Sequence, residues 1–273
     1  MEESGEATQR RRRRHFVLVH GLCHGAWCWY KVATILESAG HRVTALDMAA
    51  CGAGAGRAED VRSLEEQSRP LLDALAAVPP GERVVLVGHS FGGHNLALAM
   101  QAHPEKVAVA VFVSAAMPVA GRPMSLVVEQ HLARNSGPDS FLDCAFGIVE
   151  RGSENPAETF LAGPEWMSQR LYQLSPAEDL TLAKMLVRPG QMFLKDEAMA
   201  GEGVLTEDRY GAVRRVFVVA EEDKLFPAEE QRRVASWDAG VEVRAIQGAD
   251  HMAMFSKPAE LSELIMEVAE KYS

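Results

Sequence analysis

Ser90 stands in the run Gly88-His89-Ser90-Phe91-Gly92-Gly93, preceded by Val84-Val85-Leu86-Val87 and followed by an apolar helical stretch. Glycines two residues before and two after a serine mark a sharp strand-to-helix turn. Larger side chains would collide where the backbone folds back, and the turn lifts the hydroxyl above the sheet edge. The helix N-terminus behind it favours developing negative charge. A bare G-x-S-x-G arises by chance in about one chain in ten of this size, and an ordinary glycine-rich turn is the competing reading. The strand and helix on either side make a nucleophile the better one. A serine hydroxyl is a weak nucleophile at neutral pH and needs a general base, most often a neutral imidazole. Of the nine histidines, His251 in Gly248-Ala249-Asp250-His251 is the candidate, because in the chain order nucleophile, acid, base the base belongs on the loop after the last strand. The acid that orients it should follow the preceding strand, where Glu221-Glu222-Asp223 offers three carboxylates. Asp223 is preferred, since it leaves enough loop to turn back toward the site and precedes Lys224-Leu225-Phe226-Pro227, a stretch able to shield the pair from water. Asp250 is a poorer rival, since adjacent side chains diverge, and it suits a loop-capping hydrogen bond. An oxyanion needs backbone donors. His20-Gly21-Leu22 at the end of the first strand supplies the Leu22 N–H, to join that of Phe91. His20, His24, His89 and His94 read as pocket, loop or helix residues, and no metal-ligand spacing or cofactor motif is found.

Such residues need a sheet whose strand ends converge. Six short β-branched runs supply one: Phe16–Val19, Arg42–Leu46, Arg83–Val87, Val107–Val113, Arg215–Ala220 and Val241–Ile246. They are apolar on both faces, as in a covered parallel sheet. Helical stretches lie between them at Trp27–Ala39, Ser63–Ala77, Phe91–His103 and Ala228–Ser236, and a last helix puts Leu261, Leu264, Ile265, Val268 and Tyr272 on one stripe. The fold class is therefore α/β, with a mainly parallel sheet of about six strands and helices on both faces. The alternation breaks between Met117 and Tyr210, where helical patterns such as Pro176–Val187 occur without a convincing strand. A helical insertion capping the site is expected there, since a structureless loop of that length would be improbable. Its aromatic and methionine side chains suit a lid over an apolar pocket, although each one taken singly is better read as part of the cap's own core.

The chain has 273 residues, 47% apolar and 24% charged, with 28 Lys and Arg against 38 Asp and Glu for a net charge of −10. This balance excludes disorder, collagen and coiled coil as the main architecture. It also argues against nucleic acid or an anionic membrane as partner and favours a small neutral ligand. Cys23, Cys28, Cys51 and Cys144 show neither metal spacing nor disulfide density, which suits reduced thiols and a cytoplasmic location. No signal peptide or membrane span is legible. Residues 1–14, with five arginines at Arg10–Arg14, are expected to form a disordered tail before a single domain over 15–273 whose cap occupies about 117–210.

The segments His15–Gly21, Cys23–Trp27, Ala45–Ala50, Leu180–Pro189 and Gly248–Met254 resemble the plant methylesterase and hydroxynitrile-lyase group of α/β-hydrolases, and the resemblance covers almost everything from His15 onward. It implies Ser90, Asp223 and His251 as a catalytic triad, Leu22 and Phe91 as oxyanion donors, and a helical cap. The activity implied is hydrolysis of small methyl esters of aromatic or fatty-acid-derived acids, hormone methyl esters among them. Gly21, His89, Phe141 and Phe146 are expected around the substrate, the two phenylalanines giving the cap an apolar lining that favours an intact ester over an ionised acid. A homodimer is compatible with the resemblance. The lyases of the group carry Thr at the position of Gly21 and Lys at that of Met252. Without a positive group to stabilise cyanide or a hydroxyl for the cyanohydrin, the esterase is favoured over the lyase. A triad-bearing hormone receptor with slow turnover is a third reading. Phe141 replaces the Trp of the salicylate-ester members, which alters the ring pocket, and His94 stands where an apolar residue is common.

Overall fold

A computed structural model describes residues 13–135, 137, 139–149 and 157–272, so most of the arginine-rich tail lies outside the described residues. All six expected strands form: β1 His15–Val19, β2 Arg42–Leu46, β3 Val84–His89, β4 Val107–Val113, and, beyond the cap, Arg215–Ala220 and Glu242–Ile246. The last two are numbered β8 and β9 below, after three cap strands. They pair in parallel in the order β2-β1-β3-β4-β8-β9. Burial follows position in the sheet. β3, β4 and β8 are buried at every residue, while β9 at the edge alternates, with Glu242 and Arg244 turned toward ion pairs.

Period-two side-chain alternation divides the strands between two cores. Phe16, Leu18, Val85, Val87 and Val111 pack under α1 (Tyr30–Ser38) and the C-terminal helix Pro258–Tyr272. Val17, Val19, Leu86, Phe112 and Phe217 pack under α2 (Leu64–Ala76), α3 (Gly92–Ala102) and helix Ala228–Ala235. α2 begins where Ser63 accepts a hydrogen bond from the Glu66 N–H (3.0 Å), which satisfies one of the unpaired donors of its first turn. Because all six strands run the same way, the loops after β1, β3, β4, β8 and β9 meet at one edge, where parallel α/β sheets bind ligands.

The insertion between β4 and β8 differs from expectation in one respect. Beside α4 (Leu126–Arg134) and α5 (Ala177–Leu186) it holds a small antiparallel sheet of β5 (Ala145–Val149), β6 (Ala157–Leu161) and β7 (Gly190–Gln191). These strands are short and carry Gly147 and Glu158, which dilute their β signal. What holds them is tertiary: Phe146 pairs with Phe160, and the rings of Phe141, Phe146 and Phe160 cluster with centroids 5.2 to 6.4 Å apart. The cap sheet stays separate from the main one. Among the described residues no helix is long and apolar enough to cross a membrane.

Candidate active site

The turn after β3 is as tight as its glycines require. A Cβ on Gly92 would lie 2.5 Å from the His20 carbonyl oxygen, and one on Gly93 would lie 1.9 Å from that of Ala116. Neither backbone atom can move aside. Ser90 itself sits at φ +53°, a left-handed conformation that L-residues adopt at a cost, held by its N–H donating to Val113 O (3.2 Å) and its carbonyl accepting from Ala116 N (3.0 Å). The strain lifts Ser90 to the sheet edge, where it lines a cavity of about 150 Å³.

His251 lines the same cavity, and its Nδ1 lies 2.7 Å from Asp223 Oδ2, both residues buried. The carboxylate is saturated with donors. Oδ1 accepts the Leu225 and Phe226 N–H groups (2.8 Å each), and Oδ2 accepts Gln231 Nε2 (3.2 Å) and the Ser114 hydroxyl as well as His251. Such a carboxylate holds the imidazole in the tautomer that leaves Nε2 free to take a proton. Ser90 and His251 are not hydrogen-bonded to each other, a looseness common in ligand-free sites of this kind. Asp250 points away from the imidazole and serves the loop instead. Its Oδ2 accepts Leu174 N (2.9 Å) and Ser175 Oγ (2.8 Å), and Oδ1 accepts Met252 N (3.0 Å). Burial pushes its carboxyl above the usual range, and its hydrogen bonds pull the other way. Asp250 thus ties the histidine loop to the cap.

Two histidines aim the oxyanion loop. His20 Nε2 accepts the Met48 N–H (3.1 Å), so Nδ1 carries the proton and donates to Gly21 O (2.8 Å). The Gly21–Leu22 peptide is trans. With its carbonyl held toward His20, its N–H, that of Leu22, must point the opposite way. His24 works likewise: Nδ1 donates to Leu22 O (2.9 Å) and Nε2 accepts the hydroxyl of Tyr172 in the cap (2.7 Å). Burial lowers the His24 pKa to about 4 and that of His20 below its ordinary value, so both rings stay neutral near pH 7. Phe91 precedes α3, among the first N–H groups of a helix, which lack intrahelical acceptors. Gly21 lets this loop approach, since a Cβ there would lie 2.8 Å from Ser90 Cβ.

The other expected residues separate. His89 lines the cavity from behind the nucleophile, its Nε2 donating to His251 O (2.8 Å) and its Nδ1 buried without a partner among the described residues. Burial and the neighbouring imidazoles hold its pKa well below the ordinary value. Phe141 lines the cavity. Phe146 does not: it is 60% exposed on the outer side of the cap, where it buttresses Phe141. His94 is buried in α3 and reaches Met124 O (3.1 Å), joining the elbow helix to the start of the cap. Sequence reasoning missed Ser114 and Gln231. Ser114 follows β4 at the same sheet edge, so the strand order would have pointed to it, whereas nothing local marks Gln231 in the helix after Pro227. The four cysteines are free thiols, and burial pushes Cys23, which donates to Phe160 O (3.3 Å), up to about 12.

Residues 16–264 match the Alpha/beta hydrolase family. The chain belongs to that family. It is 54% identical over 259 residues to a probable esterase of Oryza sativa subsp. indica, covering 95% of this chain and 98% of that one. It is 45% identical over 263 residues to methyl jasmonate esterase 1 of Vitis vinifera, covering 96% and 99%. The crystal structure of polyneuridine aldehyde esterase, 41% identical, matches with a TM-score of 0.90 over 94% of this chain and 100% of that one. Its relatives within the alpha/beta hydrolases thus include plant methylesterases, as the sequence motifs indicated, and its chemistry is carboxylic-ester hydrolysis.

Proposed function

We propose that the chain hydrolyses small, mostly apolar methyl esters through an acyl-enzyme on Ser90. Ser90 Oγ attacks the ester carbonyl carbon as His251 Nε2 takes its proton, and the Leu22 and Phe91 N–H groups receive the oxyanion. The tetrahedral adduct then expels methanol, protonated by His251. Water, deprotonated by the same imidazole, attacks the acyl-enzyme and releases the acid. Asp223 orients His251 and offsets its charge throughout, and no cofactor is needed. The observation that carries this reading is the His251–Asp223 hydrogen bond of 2.7 Å beside a strained Ser90 on one cavity wall.

The roof supports the substrate class. Val127, Leu132, Phe141, Phe160 and Trp166 from the cap face the site, so a neutral methyl ester is buried more cheaply than the anion it yields. An aromatic or fatty-acid-derived methyl ester, a plant hormone ester among them, fits this chemistry, and methyl jasmonate esterase 1 of Vitis vinifera is a relative whose name carries such a substrate. Gly21 and the buried Met252 leave no hydroxyl and no ammonium for cyanohydrin cleavage. We assign a cytoplasmic role on a small-molecule ester, without nucleic acid or membrane. The test is turnover of methyl salicylate, methyl jasmonate, methyl indole-acetate and a chromogenic acetate ester by the native chain and Ser90→Ala. Multiple turnover abolished by the substitution is expected; full activity in Ser90→Ala, or cyanide release from mandelonitrile without esterase activity, would overturn the reading.

A further inference from the structure

Beside the catalytic cavity lies a second of about 60 Å³, sharing His131, Leu132, Phe141, Trp166 and Leu225 with it. Its remaining walls are of another kind: Asn135, Ser140, Arg170 and Lys224. Of all its lining residues only Trp166 is buried, so it opens to solvent as a vestibule at the rim between the cap and the loop after β8. Among the described residues no carboxylate lines it.

The side chains of Arg170 and Lys224 have no ion-pair or hydrogen-bond partner among the described residues. In a chain with 38 acidic against 28 basic side chains, several cations elsewhere find carboxylates, as Arg134 and Arg233 meet Glu230, Arg232 meets Glu221, Arg244 meets Glu267 and Lys271 meets Glu242, and others find backbone carbonyls, as Arg188 and Arg209 do. The vestibule instead gathers two unsatisfied cations with a side-chain amide and a hydroxyl. His131 stands at the junction, its Nδ1 engaged by Glu230 (3.1 Å) and its Nε2 without a protein partner among the described residues.

We propose that this vestibule is a carboxylate subsite, so that the preferred substrate is a half-ester: a methyl ester at Ser90, an apolar body under the cap, and a carboxylate at the far end held by Arg170 and Lys224. An anion could not cross the apolar cavity without losing its hydration. At the open rim it keeps water until a guanidinium, whose paired N–H groups match the two carboxylate oxygens, replaces it. The neutral ester end therefore enters first, and the charge fixes which end reaches the nucleophile. The apolar cavity alone lacks that discrimination.

This inference rests on the esterase reading, and two readouts separate them. Monomethyl esters of linear dicarboxylic acids of rising length are compared with methyl esters of monocarboxylic acids of the same carbon number. kcat/KM is measured with the native chain, and dissociation constants by calorimetry with Ser90→Ala. One length of half-ester is expected to be preferred about tenfold or more in both, as a partly exposed charge-assisted contact gives. Arg170→Gln should remove most of that preference through KM, Arg170→Lys should keep part of it, and Lys224→Gln should show a smaller loss. Equal kcat/KM and equal affinity for the two series at every length, or a preference untouched by Arg170→Gln and Lys224→Gln, overturns the subsite while leaving the esterase standing. Preferential binding without hydrolysis supports the subsite and overturns the esterase.

Discussion

On the floor of the cavity the polar groups are held from several sides: Asp223 by five donors, the Gly21 and Leu22 carbonyls by imidazole N–H groups, and the His251 carbonyl by His89. The roof works by shape, with apolar side chains from α4 and from around the small cap sheet, and touches the floor through a few polar tethers such as Tyr172–His24 and Asp250–Ser175. The floor can tolerate little displacement, because donor directions decide whether charge is stabilised. The roof can exchange side chains and change substrate without altering the chemistry. Substitutions on the two sides should therefore differ in kind as well as size.

The largest effect belongs to the nucleophile. Ser90→Ala should lower kcat by roughly 10⁶, as loss of the serine does in other triads, with the thermal midpoint little changed. Asp223→Asn should follow at about 10⁴, through the wrong imidazole tautomer. Asp250→Ala sharpens the contrast within the floor: steady-state rates should fall far less, while urea titration should show a stability loss of about 1–3 kcal/mol from the donors left unpaired. If Asp250 were the damaging position for rate, the assignment of the acid would fail.

Gly21→Ala inserts a methyl 2.8 Å from Ser90 Cβ. Displacing the nucleophile and the Leu22 donor should cost about 10² in kcat, with binding of an unreactive ester measured alongside. Acid should act on the floor as a whole. His24 and His94 have folded pKa values of about 4 against 6.5 when unfolded. The unfolded state binds protons first, so the stability they contribute is complete above pH 6.5 and is lost as pH falls toward 4. Thermal midpoints across that range should decline, and less steeply in His94→Leu; a flat profile would show that these rings are not held neutral by burial. The smallest effect is on the roof: Phe141→Ala should raise KM for an aromatic ester by about tenfold or less with kcat nearly kept.

The main sheet and the floor were legible in the sequence because both are local in origin. A β-branched run declares a buried parallel strand, G-x-S-x-G declares its own turn, and parallel strands bring Ser90, Asp223 and His251 to one edge wherever the intervening chain goes. The cap was less legible. β5 and β6 are too short and too mixed in composition to announce themselves, and they exist because Phe146 and Phe160 pair across them. Phe146 was expected at the substrate for its apolar character, yet the alternation of its strand turns it outward. Ser114 and Gln231 escaped notice because what marks them is proximity in space to Asp223.

Acylation of Ser90 is the event on which the account depends. A chromogenic ester that deacylates slowly should be mixed rapidly with the native chain, quenched during the first turnover, and examined by intact mass and peptide mapping. The account predicts a burst of released alcohol equal to the enzyme present and a mass gain of one acyl group on the peptide containing Ser90. Hydrolysis proceeding with no covalent adduct, or with the acyl group on another residue, would contradict it.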